Sequence, residues 1–68
     1  MLKWTDADEI GFQLSETFPG VDPLGVRFTE LLGHVIELDE FGDDPKNSSE
    51  KALEAIQMAW LQCHQENK

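Results

Sequence analysis

Basic residues are scarce in this sequence. Lys and Arg together number 5 among 68 residues, against 14 Asp and Glu, and the formal net charge is −9. A protein that binds nucleic acid needs a basic face to neutralise phosphates, and five scattered cations do not form one. The charge balance therefore argues against nucleic acid and favours cations or a basic protein surface as partners.

Cysteine occurs once, at Cys63. A single cysteine forms no internal disulfide, which is typical of a protein in the reducing cytoplasm. Structural zinc requires four Cys or His ligands, and adjacent residues such as Cys63 and His64 point about 100° apart on a helix. We therefore expect Cys63 to be a core residue and His64 to be solvated.

Long apolar runs and catalytic motifs are also missing. No apolar stretch approaches the roughly 18 residues of a membrane-spanning helix, and no apolar export signal follows Met1. The sequence has no glycine-rich phosphate loop, and His34 has no neighbouring serine or cysteine to activate. We expect a cytoplasmic protein that has no contact with a membrane and is not an enzyme.

The residues that are present predict one folded domain over residues 1–68. Hydrophobic residues make up 40% of the chain and recur periodically, which distinguishes it from a disordered acidic tail. A chain this short buries only roughly 60% of the surface that its unfolded form exposes, so we expect a single small core. We expect a monomer.

Two helical segments are predicted in the first half. Thr5 is the predicted N-cap of the first helix, with Asp8 in capping-box position, and Pro19-Gly20 ends the helix. Asp22 before Pro23 predicts one short helical turn. The segment Val26–Phe28 then favours an extended path.

The second half predicts two more helices. Thr29 is the predicted cap of "ELLGHVIELDEF", and Gly42 is its predicted C-terminal stop. Asn47, with Glu50 in capping-box position, precedes the long helix "SEKALEAIQMAWLQCHQ", and the tail "ENK" is expected to fray. The prediction is an all-α fold, a small bundle of helix-turn-helix type with three main helices and one short helical turn.

The stretch "ELDEFGDDP" concentrates carboxylates in one short segment. Carboxylate oxygens suit hard cations and, less selectively, iron. A loose cluster that binds Fe²⁺ or Fe³⁺ weakly and a solvated acidic corner without a ligand both fit this pattern. The candidate iron ligands are Asp39, Glu40, Asp43 and Asp44.

The same carboxylates, with the acid-rich start of the first helix, also form a candidate surface for a basic protein partner. A role in solubility alone fits the charge equally well. Trp4 is either packed over the end of a neighbouring helix or exposed as a partner anchor, and Trp is enriched at binding hot spots. The candidate partner-binding residues are Trp4, Asp6, Asp8, Glu9, Arg27, Glu37, Asp39, Glu40, Asp43 and Asp44.

Four segments together resemble the small acidic IscX (YfhJ) family of the bacterial iron–sulfur cluster assembly system. These are "LKWTDADEIG", "VRFTEL", "ELDEFGDDP" and "SEKALEAIQMAW", in the order and spacing of that family. The resemblance covers nearly the whole chain. It departs from the family at "QCHQENK", where many relatives carry acids, and this puts a role for carboxylates at that end in doubt.

The resemblance implies a compact helical fold described as a modified winged helix. It also implies binding to the cysteine desulfurase IscS at a positively charged groove, weak iron binding through surface carboxylates, and an adaptor or regulatory role beside frataxin. Two alternatives remain at this point. One is a helix-turn-helix module that binds DNA, which the acidic charge opposes, and the other is a stand-alone iron buffer.

Overall fold

A computed structural model describes residues 1–66 and confirms the all-α class. Three α-helices are present in these residues: α1 (Ala7–Thr17), α2 (Phe28–Glu37) and α3 (Glu50–Glu66). Two 3₁₀ turns connect them, Pro23–Gly25 before α2 and Pro45–Asn47 before α3. No strand forms within residues 1–66, where Leu2 and Phe41 make an isolated parallel bridge.

The core lies where the apolar faces of the three helices meet. It is built mainly from residues that recur at spacings of three and four, as an amphipathic helix requires. Ile36 also follows this spacing along α2, next to the buried Val35, but its side chain is 43% exposed. Cys63 is only partly buried. The buried apolar residues are Trp4, Ile10, Leu14, Leu31, Val35, Leu38, Leu53, Ile56 and Trp60.

The helix starts differ from the predictions by one or two residues. Helix α1 begins after Asp6 and not after Thr5. Helix α2 begins at Phe28, so Thr29 is inside the helix and not its cap. Here Arg27 precedes the helix in an extended conformation, and its N–H donates to Glu30 Oε1 over 3.2 Å. The Glu30 side chain thereby satisfies a backbone donor at the helix start.

The predicted stop at Gly42 is wrong, because α2 ends five residues earlier, at Glu37. Leu38 turns the backbone to an extended conformation and inserts its side chain into the core, where it is 5% exposed. Gly42 does not adopt the positive φ of a helix-ending glycine. The carboxylates after Glu37 consequently lie in a loop and not on the helix.

Ser49, not Asn47, caps α3. The Ser49 Oγ accepts the N–H of Ala52 over 3.1 Å, and its carbonyl accepts the N–H of Leu53 over 2.9 Å. Asn47 belongs instead to the second 3₁₀ turn, which Asp44 caps. The segment "ENK" is predicted to fray, but its first residue, Glu66, is still part of α3. The other two residues of the segment lie outside the described part of the chain.

Helices α1 and α3 approach each other closely at Gly11 of α1. A Cβ atom at Gly11 would lie 2.6 Å from Ala59 Cβ and 2.7 Å from the backbone carbonyl carbon of Ala59 on α3. A glycine in a helix normally lowers stability by about 1 kcal/mol relative to alanine. At this position the missing side chain is what allows α1 and α3 to pack together.

We expect the substitution Gly11→Ala to lower the free energy of unfolding by about 1–3 kcal/mol, because the added methyl group overpacks the contact between α1 and α3. Gly33→Ala is the matched control, since Gly33 also lies inside a helix but nothing stands within 4 Å of the added Cβ. It should raise stability by about 0.5–1 kcal/mol. Urea denaturation followed by circular dichroism measures both.

A second variant separates this contact from helix propensity. In Gly11→Ala combined with Ala59→Gly, the new Cβ still meets the backbone carbon of Ala59 and the backbone nitrogen of Trp60, each at 2.7 Å. The double variant should therefore remain less stable than the natural sequence. Equal gains in stability from Gly11→Ala and Gly33→Ala would contradict the close packing.

Candidate functional site

The acidic loop, residues 38–44, connects α2 to the second 3₁₀ turn. Its buried Leu38 anchors it to the core. The Phe41 N–H donates to the Leu38 carbonyl over 3.1 Å, which closes a tight turn. Asp39 and Glu40 occupy the middle of that turn and are exposed. The turn therefore directs two carboxylates toward solvent.

A groove of about 250 Å³ opens between the acidic loop and α1. Among the residues 1–66 that line it, three carry carboxylates and none is Lys or Arg. Helices α1 and α2 both end beside the groove, at Thr17 and Glu37, and a helix C-terminus carries a partial negative charge. The groove is thus suited to a positively charged group. Its lining consists of Gln13, Thr17, Glu37, Leu38, Asp39 and Glu40.

Asp43 is partly buried, and its carboxylate contacts the N-terminal segment of the chain. Its Oδ2 accepts the backbone N–H of Trp4 over 3.1 Å, and its Oδ1 accepts the N–H of Asp44 over 2.7 Å. The Asn47 side-chain amide also donates to Oδ1, over 3.5 Å. Asp43 is therefore a structural acceptor that connects two segments 39 residues apart.

Trp4 is buried beside Asp43 and is 5% exposed. Its indole Nε1 donates to the Asp44 carbonyl over 2.7 Å, and its ring meets the Phe41 ring edge-on with centroids 4.8 Å apart. Edge-to-face contact is a favoured arrangement of two aromatic rings. The burial supports the interpretation of Trp4 as a packing residue, and an exposed partner anchor would need a ring that is open to solvent.

Hydrogen bonds from the Trp4 and Asp44 amides lower the pKa of Asp43 from its ordinary value of 3.8. Both amides stabilise the charged form of the carboxylate, and this effect exceeds the opposing effect of burial. Lys3 and the Asn47 amide act in the same direction. The lowered pKa is the electrostatic signature of the structural role of Asp43.

Asp44 also has a structural role. Its Oδ1 accepts the N–H of Lys46 over 2.9 Å and so caps the second 3₁₀ turn. No group of three or more His, Cys, Asp or Glu side chains within residues 1–66 is arranged to hold a metal ion. The four candidate iron ligands therefore do not form a preformed metal site. Of the four, Asp39 and Glu40 are the exposed pair whose side chains line the groove.

The acids at the start of α1 do not line the groove. Asp6 precedes α1, and its Oδ2 accepts the Lys3 N–H over 3.0 Å. Asp8 lies near Cys63 of α3. The pKa of the Cys63 thiol is raised by burial first, and then by the negative charges of Glu66 and Asp8.

Arg27 and Glu9 are likewise outside the groove lining. Arg27 lies just before α2, whereas the groove is at the other end of this 10-residue helix, about 15 Å away along its axis. Glu9 is exposed in the first turn of α1. Among the predicted partner-binding residues, the structure brings Glu37, Asp39 and Glu40 together in the groove.

Sequence reasoning missed Gln13 and Thr17, which line the groove from α1. They are four residues apart, and such residues share one face of a helix. That spacing was available in the sequence, but nothing in it showed that this face of α1 meets the acidic loop. Within residues 1–66, no helix is both long and apolar enough to cross a bilayer.

These features define a small, acidic all-α protein in which three carboxylates line one groove. The family model described as iron–sulphur cluster assembly matches residues 2–65. The chain is also similar to the Pseudomonas aeruginosa protein named "Uncharacterized protein PA3808", with 57% identity over 61 residues that cover 90% of this chain and 92% of the relative. The chain belongs to the iron–sulphur cluster assembly family, also known as the IscX/YfhJ family.

The lowered pKa of Asp43 predicts a pH dependence of stability. Because the folded pKa is below the ordinary value, the charged carboxylate stabilises the fold above pH 3.8, and this contribution disappears as the pH falls through the lowered folded value. Asp43→Asn should therefore be less stable than the natural sequence at neutral pH. The difference should shrink below pH 3.8.

Urea denaturation at a series of pH values measures this difference. Asp39→Asn is the matched control, because it removes one carboxylate from the same loop without breaking a hydrogen bond to Trp4. Its effect on stability should stay small across the series. A difference for Asp43→Asn that does not change between neutral and acidic pH would contradict the assignment.

Proposed function

We propose that this protein binds the cysteine desulfurase IscS of the iron–sulphur cluster assembly system and acts as an adaptor or regulator of cluster assembly. The observation that carries the proposal is the groove, where Glu37, Asp39 and Glu40 lie beside two helix C-termini and no Lys or Arg of residues 1–66 lines the groove. A positively charged side chain of the desulfurase would occupy this groove. Membership in the iron–sulphur cluster assembly family supports the choice of partner.

The charge of the whole protein supports the same proposal. A net charge of −9 attracts a positively charged surface and speeds the encounter with it. At physiological ionic strength the attraction between exposed charges is screened over roughly 8 Å. The groove carboxylates therefore act on the partner at close range, while the remaining acids add to the attraction over longer distances at low salt.

Iron binding is a second part of the proposal. We propose that iron is cargo that associates weakly with exposed carboxylates, among which Asp39 and Glu40 are the accessible pair in the acidic loop. Hard cations prefer such oxygen ligands. Asp43 and Asp44 are less available, because backbone N–H groups already bind both oxygens of Asp43 and Oδ1 of Asp44. In the cell, frataxin would act on the same desulfurase, in competition or in concert with this protein.

We expect Asp39→Asn combined with Glu40→Gln to weaken desulfurase binding by about tenfold, because two charges that face the partner are lost. The matched control is Glu54→Gln combined with Glu66→Gln, which removes the same charge from exposed positions on α3, and no α3 residue lines the groove. The control should change affinity less than about threefold. Calorimetric titration with purified desulfurase measures both.

The salt dependence of the same titration provides a further check. Affinity of the natural sequence should fall as potassium chloride is added, and it should fall less steeply for the groove variant. Equal losses in the groove and control variants would reduce the proposal to a general charge effect. Absence of binding at low ionic strength would exclude the desulfurase as a partner.

Iron titration distinguishes cargo binding from a dedicated buffer. We expect weak binding of Fe²⁺ that decreases in Asp39→Asn with Glu40→Gln and persists in Asp43→Asn, because the Asp43 carboxylate is occupied by protein donors. Anaerobic titration followed by paramagnetic broadening of amide signals measures this for each residue. Tight binding that is independent of the desulfurase would instead indicate a stand-alone iron buffer.

A further inference from the structure

We infer that Asp43 and Trp4 form a latch that holds the N-terminal segment, residues 1–6, against the acidic loop and thereby positions Glu40 in the groove. The consequence for partner binding rests on the function proposed above. The latch itself does not rest on that function, because it follows from contacts within the chain. In this inference Asp43 and Trp4 are positioning residues, and Glu40 is the residue that meets the partner.

The N-terminal segment holds the acidic loop through its backbone. The Leu2 N–H donates to the Glu40 carbonyl over 2.6 Å, and the Gly42 N–H donates to the Leu2 carbonyl over 2.9 Å. These two bonds flank Phe41 and form the isolated parallel bridge. The backbone of Glu40 is thus held by a residue from the opposite end of the chain.

Two hydrogen bonds are too few to keep an N-terminal segment in place, since short terminal segments fray unless other contacts hold them. Trp4 supplies those contacts two residues further along. Its N–H is bound to Asp43, its indole N–H is bound to the Asp44 carbonyl, and its ring is buried against Phe41. The bridge at Leu2 therefore depends on the latch at Trp4.

The latch also limits what else Asp43 binds. A carboxylate offers about four lone-pair positions, and three are taken by Trp4, Asp44 and Asn47. Because Oδ1 already accepts from Asp44 and Asn47, a cation or a partner side chain that used both oxygens would have to displace one of these two donors. Asp43 is a candidate iron ligand by sequence, whereas its contacts make it a support for the residues that line the groove.

Hydrogen exchange in the protein without a partner tests the latch directly. In Asp43→Asn, either the Trp4 N–H or the Asp44 N–H faces an amide NH₂ group, so one bond is lost whichever way the side chain is oriented. We expect the Gly42 amide, which donates to Leu2, to exchange about tenfold faster. The exchange rate of the Leu31 amide of α2, which donates to the Arg27 carbonyl, should change only as much as the global stability does.

Trp4→Phe is the second variant, and it changes no charge. It keeps an aromatic ring against Phe41 and removes the bond from Nε1 to the Asp44 carbonyl. It also identifies the indole signal of Trp4 by its disappearance, since the chain has two Trp residues. The remaining Trp60 indole, which is fully buried, reports whether the core stays intact.

Desulfurase affinity then tests whether the latch positions Glu40. Measured well below the melting temperature, Trp4→Phe should weaken binding by about threefold or more, although Trp4 is buried and its charge is zero. A purely structural role would lower the melting temperature and leave the affinity of the folded protein unchanged. Glu54→Gln controls for the charge lost in Asp43→Asn and should change affinity less than about twofold.

Three outcomes separate the possibilities. Unchanged Gly42 exchange in both variants overturns the latch. Faster exchange with unchanged affinity overturns the positioning of Glu40. If the natural sequence does not bind the desulfurase, the proposed function fails, and the exchange of Gly42 by itself then decides whether the latch exists.

Discussion

The burial of Trp4 against the acidic loop is the interaction on which the candidate site depends. Trp4, 5% exposed, joins the first residues of the chain to a loop about 40 positions away through one backbone hydrogen bond, one indole hydrogen bond and an aromatic contact. Without that connection the acidic loop would be held only by Leu38, the second 3₁₀ turn, the packing of Phe41 against the core and the two backbone hydrogen bonds to Leu2. The connection holds the acidic loop in place, so that the loop forms one side of the groove.

The carboxylates of "ELDEFGDDP" divide into two groups with different physical roles. Asp43 and Asp44 accept backbone N–H groups, and these contacts stabilise their negative charge inside the fold. Glu37, Asp39 and Glu40 line the groove, and no Lys or Arg in the described part of the chain lines it with them. A chain with a net charge of −9 repels itself, so the structural acids offset part of the cost of keeping the groove acids close together.

Helix content and the core were largely predictable, whereas helix ends were not. Ile10, Leu14, Leu53 and Trp60 recur at helical spacing and are buried, and such periodicity is a dependable signal because it averages over many residues. A cap depends on one local hydrogen bond. Thr5, Thr29 and Asn47 have suitable side chains, yet Asp6, Arg27 and Ser49 occupy those positions. The pair Asp44-Pro45 carries the same turn signal as Asp22-Pro23, and both form 3₁₀ turns.

The sequence by itself determined the all-α class, the apolar faces of the helices and the excess of negative charge, because these properties follow from composition and short-range spacing. Only the tertiary structure decided which acids are structural and which line the groove, and that Gly11 serves close packing with Ala59. The physical reason is distance along the chain. The role of a carboxylate depends on which donor faces it, and the donor that faces Asp43 belongs to Trp4, 39 residues earlier.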